Sequence, residues 1–327
     1  MKKAIITGVS GQDGSYLAEL LLENGYEVWG ILRRHSLTEQ KAARLEAIGL
    51  LENSRLNLVY GDVTDFSSLS HLFRDVQPDE IYNLAAQSHV GISFQQPSLT
   101  SKITGESVLT LLECARQHCS NAKIYQAGTS EMFGNNIDTD GFQRETTKMS
   151  PVSPYGCAKL YAHNMCKVYR TSYDMFVCNG ILFNHESPRR GLNFVTNKIV
   201  KGAVDIYYKK ENKLLLGNLE ARRDWGHAKD YVKAMHLMLQ HNSPDDWVVS
   251  TGISHSVRNV CEYVFTKLGL DYKNFVEQDS RYIRPKELHV LKGDSTKIRT
   301  NLGWKPTYTF ETMMDEMIQY WISIEEK

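Results

Sequence analysis

Short β-branched runs alternate with helix-period patterns through the first half of the chain. "KAIIT" at 3 to 7 is followed by "SYLAELLLENG" at 15 to 25, "YEVWGILRR" at 26 to 34 and "LNLVYGD" at 56 to 62. The rhythm continues with "DEIYNLAA" at 79 to 86, an amphipathic run near 103 to 118, "AKIYQAG" at 122 to 128, a further helical run at 154 to 172 and "DMFVCNGILF" at 174 to 183. Strand, helix, strand at this spacing predicts an α/β fold, a Rossmann-type doubly wound parallel sheet with helices on both faces. Beyond about 184 the alternation loosens into loops rich in Pro, Gly, Arg and Asn with shorter elements, which predicts a smaller mixed α/β region. The expected division is a nucleotide-binding domain over 1–183, with 226–252 returning to it, and a mainly substrate-binding region over 184–327. No flexible linker or internal repeat separates the two, so the second region is expected to pack onto the sheet.

Composition narrows the function classes. The chain has 327 residues, 42% hydrophobic and 23% charged, and its 38 basic side chains balance 38 acidic ones. Zero formal charge leaves no electrostatic footprint for nucleic acid or an anionic membrane, so any anion must be held by local geometry. No apolar run approaches the roughly 20 residues of a membrane span. Cys114, Cys119, Cys157, Cys166, Cys178 and Cys261 are scattered without a Cys-x-x-Cys pair, and the start lacks a signal-peptide pattern. Free thiols in a reducing cytoplasm are the expectation, with no metal site.

Candidate chemistry begins at "TGVSGQDGSY", which follows the first predicted strand and opens the first helix. Gly8, Gly11 and Gly14 form G-x-x-G-x-x-G, whose missing side chains let the backbone approach a pyrophosphate at the positive end of a helix. Following a strand and opening a run of strand-helix units, this turn predicts dinucleotide binding; Asp13 is also placed to cap the helix. At the end of the second strand, where an acidic residue would bond the adenosine ribose, stand Arg33 and Arg34. Arginine there accommodates a 2′-phosphate, so NADP is preferred over NAD. Asp62, and Ala85 to Ser88 in "NLAAQSH", fall at the same predicted sheet edge and border adenine and ribose. Thr7, Gln12, Val63, Leu84 and Ala86 complete the expected cofactor contacts.

Downstream, "SPYGCAKLY" places Tyr155 and Lys159 one helical turn apart, after the helix-start signal Ser153-Pro154. A lysine ammonium and a positive nicotinamide both favour phenolate, pulling tyrosine below its reference pKa of about 10. The spacing recurs at Tyr263/Lys267 and Tyr282/Lys286, read as surface and loop residues. Tyr155 differs in following "GTSEMFG" within a dinucleotide-binding pattern, where Thr129 is placed to hydrogen-bond the oxidised oxygen.

"TGVSGQDGSY", "YGDVTD", "IYNLAAQSHV", "TSEMFG", "SPYGCAKLYAH", "NGILFNHESPRRG" and "ARRDWGHAKDYV" together resemble the extended short-chain dehydrogenase/reductases, most closely the GDP-mannose 4,6-dehydratases. The resemblance runs over nearly the whole chain and departs at 35 to 55 and around 272 to 284. In the family the first of these loops reaches toward a neighbouring subunit, so the resemblance implies a homo-oligomer, dimer or tetramer. It also implies dehydration of a GDP-hexose to a 4-keto-6-deoxy sugar with internal hydride transfer, a lyase reaction. Glu131 is then the base at C5, made possible because a C4 ketone acidifies the neighbouring C–H. With Ser130 before it, Glu131 is expected to carry the proton on to the C6 oxygen as well. Asn184 resembles a sugar-diphosphate contact, and His185 and Arg190 resemble residues around the nicotinamide half of the cofactor. Ser88, Ser130, Val195, Lys198, Gly217, Arg223, Arg284 and Glu287 complete the implied substrate contacts. Three alternatives stay open: a GDP-mannoheptose 4,6-dehydratase, a 4-epimerase or ketoreductase of the same family, and an NADP-binding protein without chemistry.

Overall fold

The computed structural model describes residues 1–33, 42–283 and 285–326. Seven parallel strands form the main sheet: β1 (Lys3–Thr7), β2 (Glu27–Leu32), β3 (Leu56–Tyr60), β4 (Glu80–Asn83), β5 (Lys123–Ala127), β6 (Val177–Leu182) and, counted later along the chain, β10 (Asp246–Val249). Their order across the sheet is β10-β6-β5-β4-β1-β2-β3. The order reverses between β1 and β4, and at such a switch point the strand ends leave a crevice open to ligands.

The central strands are fully buried because helices cover both faces. On one face, helices Gln12–Glu23 and Ala228–Gln240 pack Leu17, Leu21, Tyr231 and Met235 against the sheet, joined by Trp247, Ile298 and Trp304. On the other, helices Phe66–Val76, Ser107–His118 and Pro154–Ser172 contribute Leu69, Phe73, Leu111 and Cys166. Helix Phe66–Val76 was not among the predicted elements. Its signal is nonetheless present in the chain: Leu69, Phe73 and Val76 share one face, and Asp65 caps the start by accepting from the Ser67 and Ser68 amides at 3.1 and 3.3 Å.

Beyond β6 lies a second, smaller unit. β7 (Asn184–Glu186), β9 (Arg222–His227) and β11 (Ser254–Ser256) form a mixed three-stranded sheet, and β8 (Leu214–Leu216) pairs with β12 (Val276–Gln278). The stretch read as loops with shorter elements carries helices Val195–Tyr207, Val257–Lys267 and Phe310–Glu325, of 13, 11 and 16 residues. They enclose a separate core with Val200, Trp225, Phe265 and Met317. Among the described residues no helix is long and apolar enough to cross a membrane.

Candidate functional site

The C-terminal ends of β1 to β6 open onto one cleft of about 2060 Å³, bounded on its far side by the second unit. At the end of β1, Gly8 has φ +71, a left-handed conformation that favours glycine. A Cβ at Gly14 would lie 2.2 Å from the Gly8 oxygen and 2.6 Å from Val9 Cα, so only glycine lets this helix abut the strand end. The helix N-cap is Gly11, without a side-chain hydrogen bond to the first-turn amides. Uncapped amides at a glycine-lined helix start, facing a cleft, fit a pyrophosphate. Asp13 was expected as a possible cap; instead its carboxylate meets His185 Nε2 at 2.8 Å and accepts from Gln12 Nε2 at 3.0 Å.

That Asp13–His185 pair joins the glycine turn to β7. His185 Nδ1 lies 2.8 Å from the Phe183 carbonyl, so both ring nitrogens face acceptors, an arrangement that favours the protonated imidazole. Burial opposes this charge, but Asp13 overrides it and raises the imidazole pKa. For Asp13, burial would raise the carboxyl; the charge and hydrogen bond of His185, then Gln12 and Arg190, bring it down to about 2. Arg190 stacks 3.6 Å over Phe194 and pairs with the buried Glu186 at 3.1 Å. The loop following β7 is therefore a built wall.

Gly11, Gln12, Arg33, Asp62, Val63, Leu84, Ala85, Ala86 and Ser88 all line this cleft. Burial pushes the Asp62 carboxyl up, yet two Thr64 hydrogen bonds and the charges of Arg33 and Lys102 hold it below the usual carboxylate range. Thr7 is fully buried behind the wall. Its hydroxyl donates to Asn83 at 2.6 Å and accepts from the Leu84 and Ala85 amides at 3.0 Å, so its side chain shapes the turn. Arg34 and Arg284 lie outside the described residues.

Thr129, Ser130, Glu131, Tyr155 and Lys159 come together in the cleft beyond β5. Thr129 is extended (φ −155) and caps a short 3₁₀ turn, Ser130–Phe133, by accepting from the Glu131 amide at 3.3 Å. Ser153 caps helix Pro154–Ser172 by accepting from the Gly156 amide at 3.0 Å, which fixes Tyr155 in the first turn. A Cβ at Gly156 would stand 3.1 Å from the Glu131 carbonyl oxygen, so its absence lets the tyrosine helix seat against the glutamate turn. Lys159 donates to the Ala127 carbonyl at 2.6 Å, and burial lowers its pKa to about 8. Tyr155 behaves differently from the sequence-based expectation. In the protein alone burial pushes its phenol above the ordinary value; a hydrogen bond with Thr129 lowers it and the charge of Glu131 raises it. Burial and the Glu131 charge thus both oppose a phenolate here, and Thr129 and Arg190 favour it.

Toward the second unit, Asn184, Val195, Lys198, Gly217, Arg223 and Glu287 line the same cleft. Arg223 is 7% exposed and donates through Nη1 to the Arg222 and Leu288 carbonyls at 2.8 and 3.0 Å. Among the cleft residues without a predicted role, two make notable contacts. Tyr282, set aside as a loop residue, lies beneath the Lys198 ammonium, 3.5 Å from its ring centroid. Arg44 donates to the Ser10 and Arg189 carbonyls at 3.0 Å beside the glycine turn. A lone arginine in a short helix carries no sequence signal, whereas Tyr282 neighbours the already suspected "RPKE" segment. Tyr263 and Lys267, by contrast, both bond Asp315 on the surface, at 2.9 and 3.0 Å. Among the described residues no group of His, Cys, Asp or Glu is arranged to hold a metal ion.

Known proteins agree with this architecture. A dTDP-glucose 4,6-dehydratase from Bacillus anthracis, solved with NAD, superposes over 100% of this chain and 98% of its own with a TM-score of 0.85 at 23% identity. RMD from Pseudomonas aeruginosa, solved with NADPH, gives 0.80 at 20% identity over 99% and 100% of the two chains. At these identities the likeness is one of fold. In sequence, GDP-mannose 4,6 dehydratase 1 of Arabidopsis thaliana is 48% identical over 97% of this chain and 89% of its own. The human GDP-mannose 4,6 dehydratase is 46% identical over 96% and 90%. The family model described as GDP-mannose 4,6 dehydratase matches residues 5–317. With the glycine turn, the Thr129-Glu131 turn and the Tyr155-Lys159 helix inside that match, the chain belongs to the GDP-mannose 4,6-dehydratase family.

Proposed function

We propose that this protein is a hydro-lyase that converts GDP-mannose to GDP-4-keto-6-deoxymannose, using NADP within each cycle. The observation that carries the reading is the seating of the Glu131 turn against the Tyr155 helix across Gly156, inside a cleft continuous with the glycine turn. An epimerase or ketoreductase needs Tyr155 and Lys159 but no base at C5. The cofactor would be held by the backbone of Gly8, Gly11, Gln12, Asp13 and Gly14 at the pyrophosphate, by Arg33 at the 2′-phosphate, by Asp62, Val63 and Leu84 to Ala86 around the adenosine, and by Lys159, His185 and Arg190 toward the nicotinamide. Bound there, NADP supplies a hydride acceptor for C4 and a hydride donor for C6.

The chain's own residues handle the protons. Tyr155 Oη takes the proton of the C4 hydroxyl as the C4–H bond breaks, with the Thr129 hydroxyl bonded to the same oxygen. Lys159 favours the phenolate by its charge. With C4 a ketone, Glu131 removes the C5 proton and delivers it to the C6 oxygen, which leaves as water. Hydride return to C6 of the resulting enone is matched by a proton at C5, supplied by the Tyr155 hydroxyl that took one at C4, so the tyrosine is reset for the next cycle. Ser88, Ser130 and Asn184 border the sugar and diphosphate; Val195, Lys198 and Gly217 border the base; Arg223 and Glu287 lie at the diphosphate and ribose. A guanidinium suits phosphate oxygens by its planar fork.

A homo-oligomer in the cytoplasm belongs to the same proposal. All described cysteines are free thiols, and Leu99, Tyr161 and Val168 expose apolar surface on neighbouring helices; light scattering of the purified protein tests the assembly. The activity is tested by incubating the protein with GDP-mannose and, separately, GDP-mannoheptose. Product lighter by one water without net consumption of NADPH supports the dehydratase; stoichiometric oxidation of NADPH overturns it in favour of a reductase.

A further inference from the structure

Beneath the turn that carries Glu131 lies a small apolar cluster distinct from the three larger cores. Met132, Phe133, Phe183, Val248, Leu288 and Leu291 meet there, each no more than 1% exposed. Met132 and Phe133 follow Glu131 directly on the 3₁₀ turn, so the lower face of the turn rests on this cluster. Leu288 and Leu291 arrive from the other end of the chain, on a strap running from Glu287 to Leu291.

The strap is held from two sides. Along β9, the Arg222 amide donates to the His289 carbonyl at 2.9 Å and the Leu291 amide to the Arg222 carbonyl at 3.1 Å. Arg223, from within the cleft wall, donates to the Leu288 carbonyl at 3.0 Å. On the opposite flank Asn135, just past the catalytic turn, accepts from the His289 amide at 3.1 Å and donates to the Glu287 carbonyl at 3.4 Å. Further on, the fully buried Gln143 exchanges backbone bonds with Lys292 and Asp294 at 2.9 Å. One short segment thus touches both the nucleotide end of the cleft, through Arg223 and Glu287, and the support of the proton-transferring carboxylate, through Leu288.

We propose that Leu288 is a positioning residue that sets the placement of Glu131 against the sugar, and that Arg223 ties this placement to occupancy of the nucleotide end. The inference rests on the dehydratase reading. Close-packed interiors respond to the loss of even a few methyl groups, and Met132 and Phe133 would settle into the space left by a smaller side chain. The carboxylate must come within hydrogen-bond reach of the C5 proton, so a small descent of the turn weakens proton transfer. Tyr155 and Lys159 also border this cluster, through Val152 and Leu160, but the Ser153 cap and the Ala127 carbonyl hold them in addition, so they shift less than the Glu131 turn. Displacing Leu288 therefore slows the proton step more than hydride transfer from C4. Binding energy from the remote nucleotide is in this way available to the reacting centre.

The test compares Leu288→Ala, Leu288→Met and the parent protein, all full length and loaded with NADP. Steady-state turnover of GDP-mannose is measured together with the fluorescence of reduced nicotinamide in a single turnover. For Leu288→Ala we expect kcat to fall about 10- to 100-fold with KM within about 2-fold, and reduced nicotinamide to accumulate before product. Leu288→Met, which keeps the volume, should restore kcat to within about 3-fold of the parent. Should Leu288→Ala fail to fold, Leu288→Val takes its place with the same signature in milder form. Unchanged kcat at a lowered Tm, or hydride transfer and dehydration slowed by the same factor, overturns the inference. A parent protein that does not dehydrate GDP-mannose overturns the underlying reading instead.

Discussion

Lys159 is a cation held where burial opposes charge, and this has a measurable cost. The residue is 4% exposed, and burial brings its pKa from 10.5 down to about 8, with the charge of Asp13 acting the other way. In the unfolded chain a lysine keeps its proton to about pH 10.4. Between about pH 8 and 10.5 the unfolded state therefore binds more protons than the folded one, and stability rises with pH across that window. The gap of 10.5 − 8 = 2.5 pH units corresponds to about 3 kcal/mol of destabilisation at neutral pH. Lys159→Met removes the charge and retains most of the length. It also loses the hydrogen bond to Ala127, worth about 1 kcal/mol, although that carbonyl still accepts from Gln126 Nε2 at 3.0 Å. The nucleotide-free variant should therefore be more stable than its parent by about 2 kcal/mol at pH 7, and the advantage should vanish by about pH 10.5 while turnover is lost. Urea unfolding of both proteins, stripped of nucleotide and followed by tryptophan fluorescence at pH 7 and pH 10, measures the difference. A less stable variant at pH 7, or an advantage independent of pH, refutes desolvation of the ammonium as the cause.

Other consequences are simpler to state. Glu131→Gln should slow dehydration by about 10²- to 10⁴-fold while C4 oxidation persists, so rapid mixing should show reduced nicotinamide accumulating; product at the native rate removes Glu131 from the mechanism. Gly14→Ala places a Cβ 2.2 Å from the Gly8 oxygen, a backbone atom that cannot swing away. Its affinity for NADP, read by fluorescence titration, should drop by at least about 10-fold, and unchanged affinity would mean that the turn does not hold the pyrophosphate. Arg33→Ala should weaken NADP by about 10-fold and NAD by much less; an equal loss for both would place Arg33 away from the 2′-phosphate.

Much of this protein is legible without coordinates. The alternation of "KAIIT", "YEVWGILRR" and "AKIYQAG" with helical runs determines a parallel sheet, because each apolar strand needs helices on both faces to stay dry. Sequence also determines the kinds of chemistry available: glycines that open a helix to phosphate, a tyrosine and a lysine one turn apart, and a carboxylate after two hydroxyls. Tertiary structure decided which of three Tyr-x-x-x-Lys pairs enters the cleft. It buried Tyr155 and Lys159, left Tyr263 and Lys267 bonded to Asp315 at the surface, and brought Tyr282 under Lys198. It also turned Asp13 from a candidate cap into the partner of His185, and drew Leu288 into the apolar cluster that holds Met132 and Phe133. Local patterns record what a residue prefers over one or two turns. Contacts between positions more than a hundred apart, such as Asp13 with His185 or Asn135 with His289, arise only when the second unit folds back over the strand ends and the whole core closes around them.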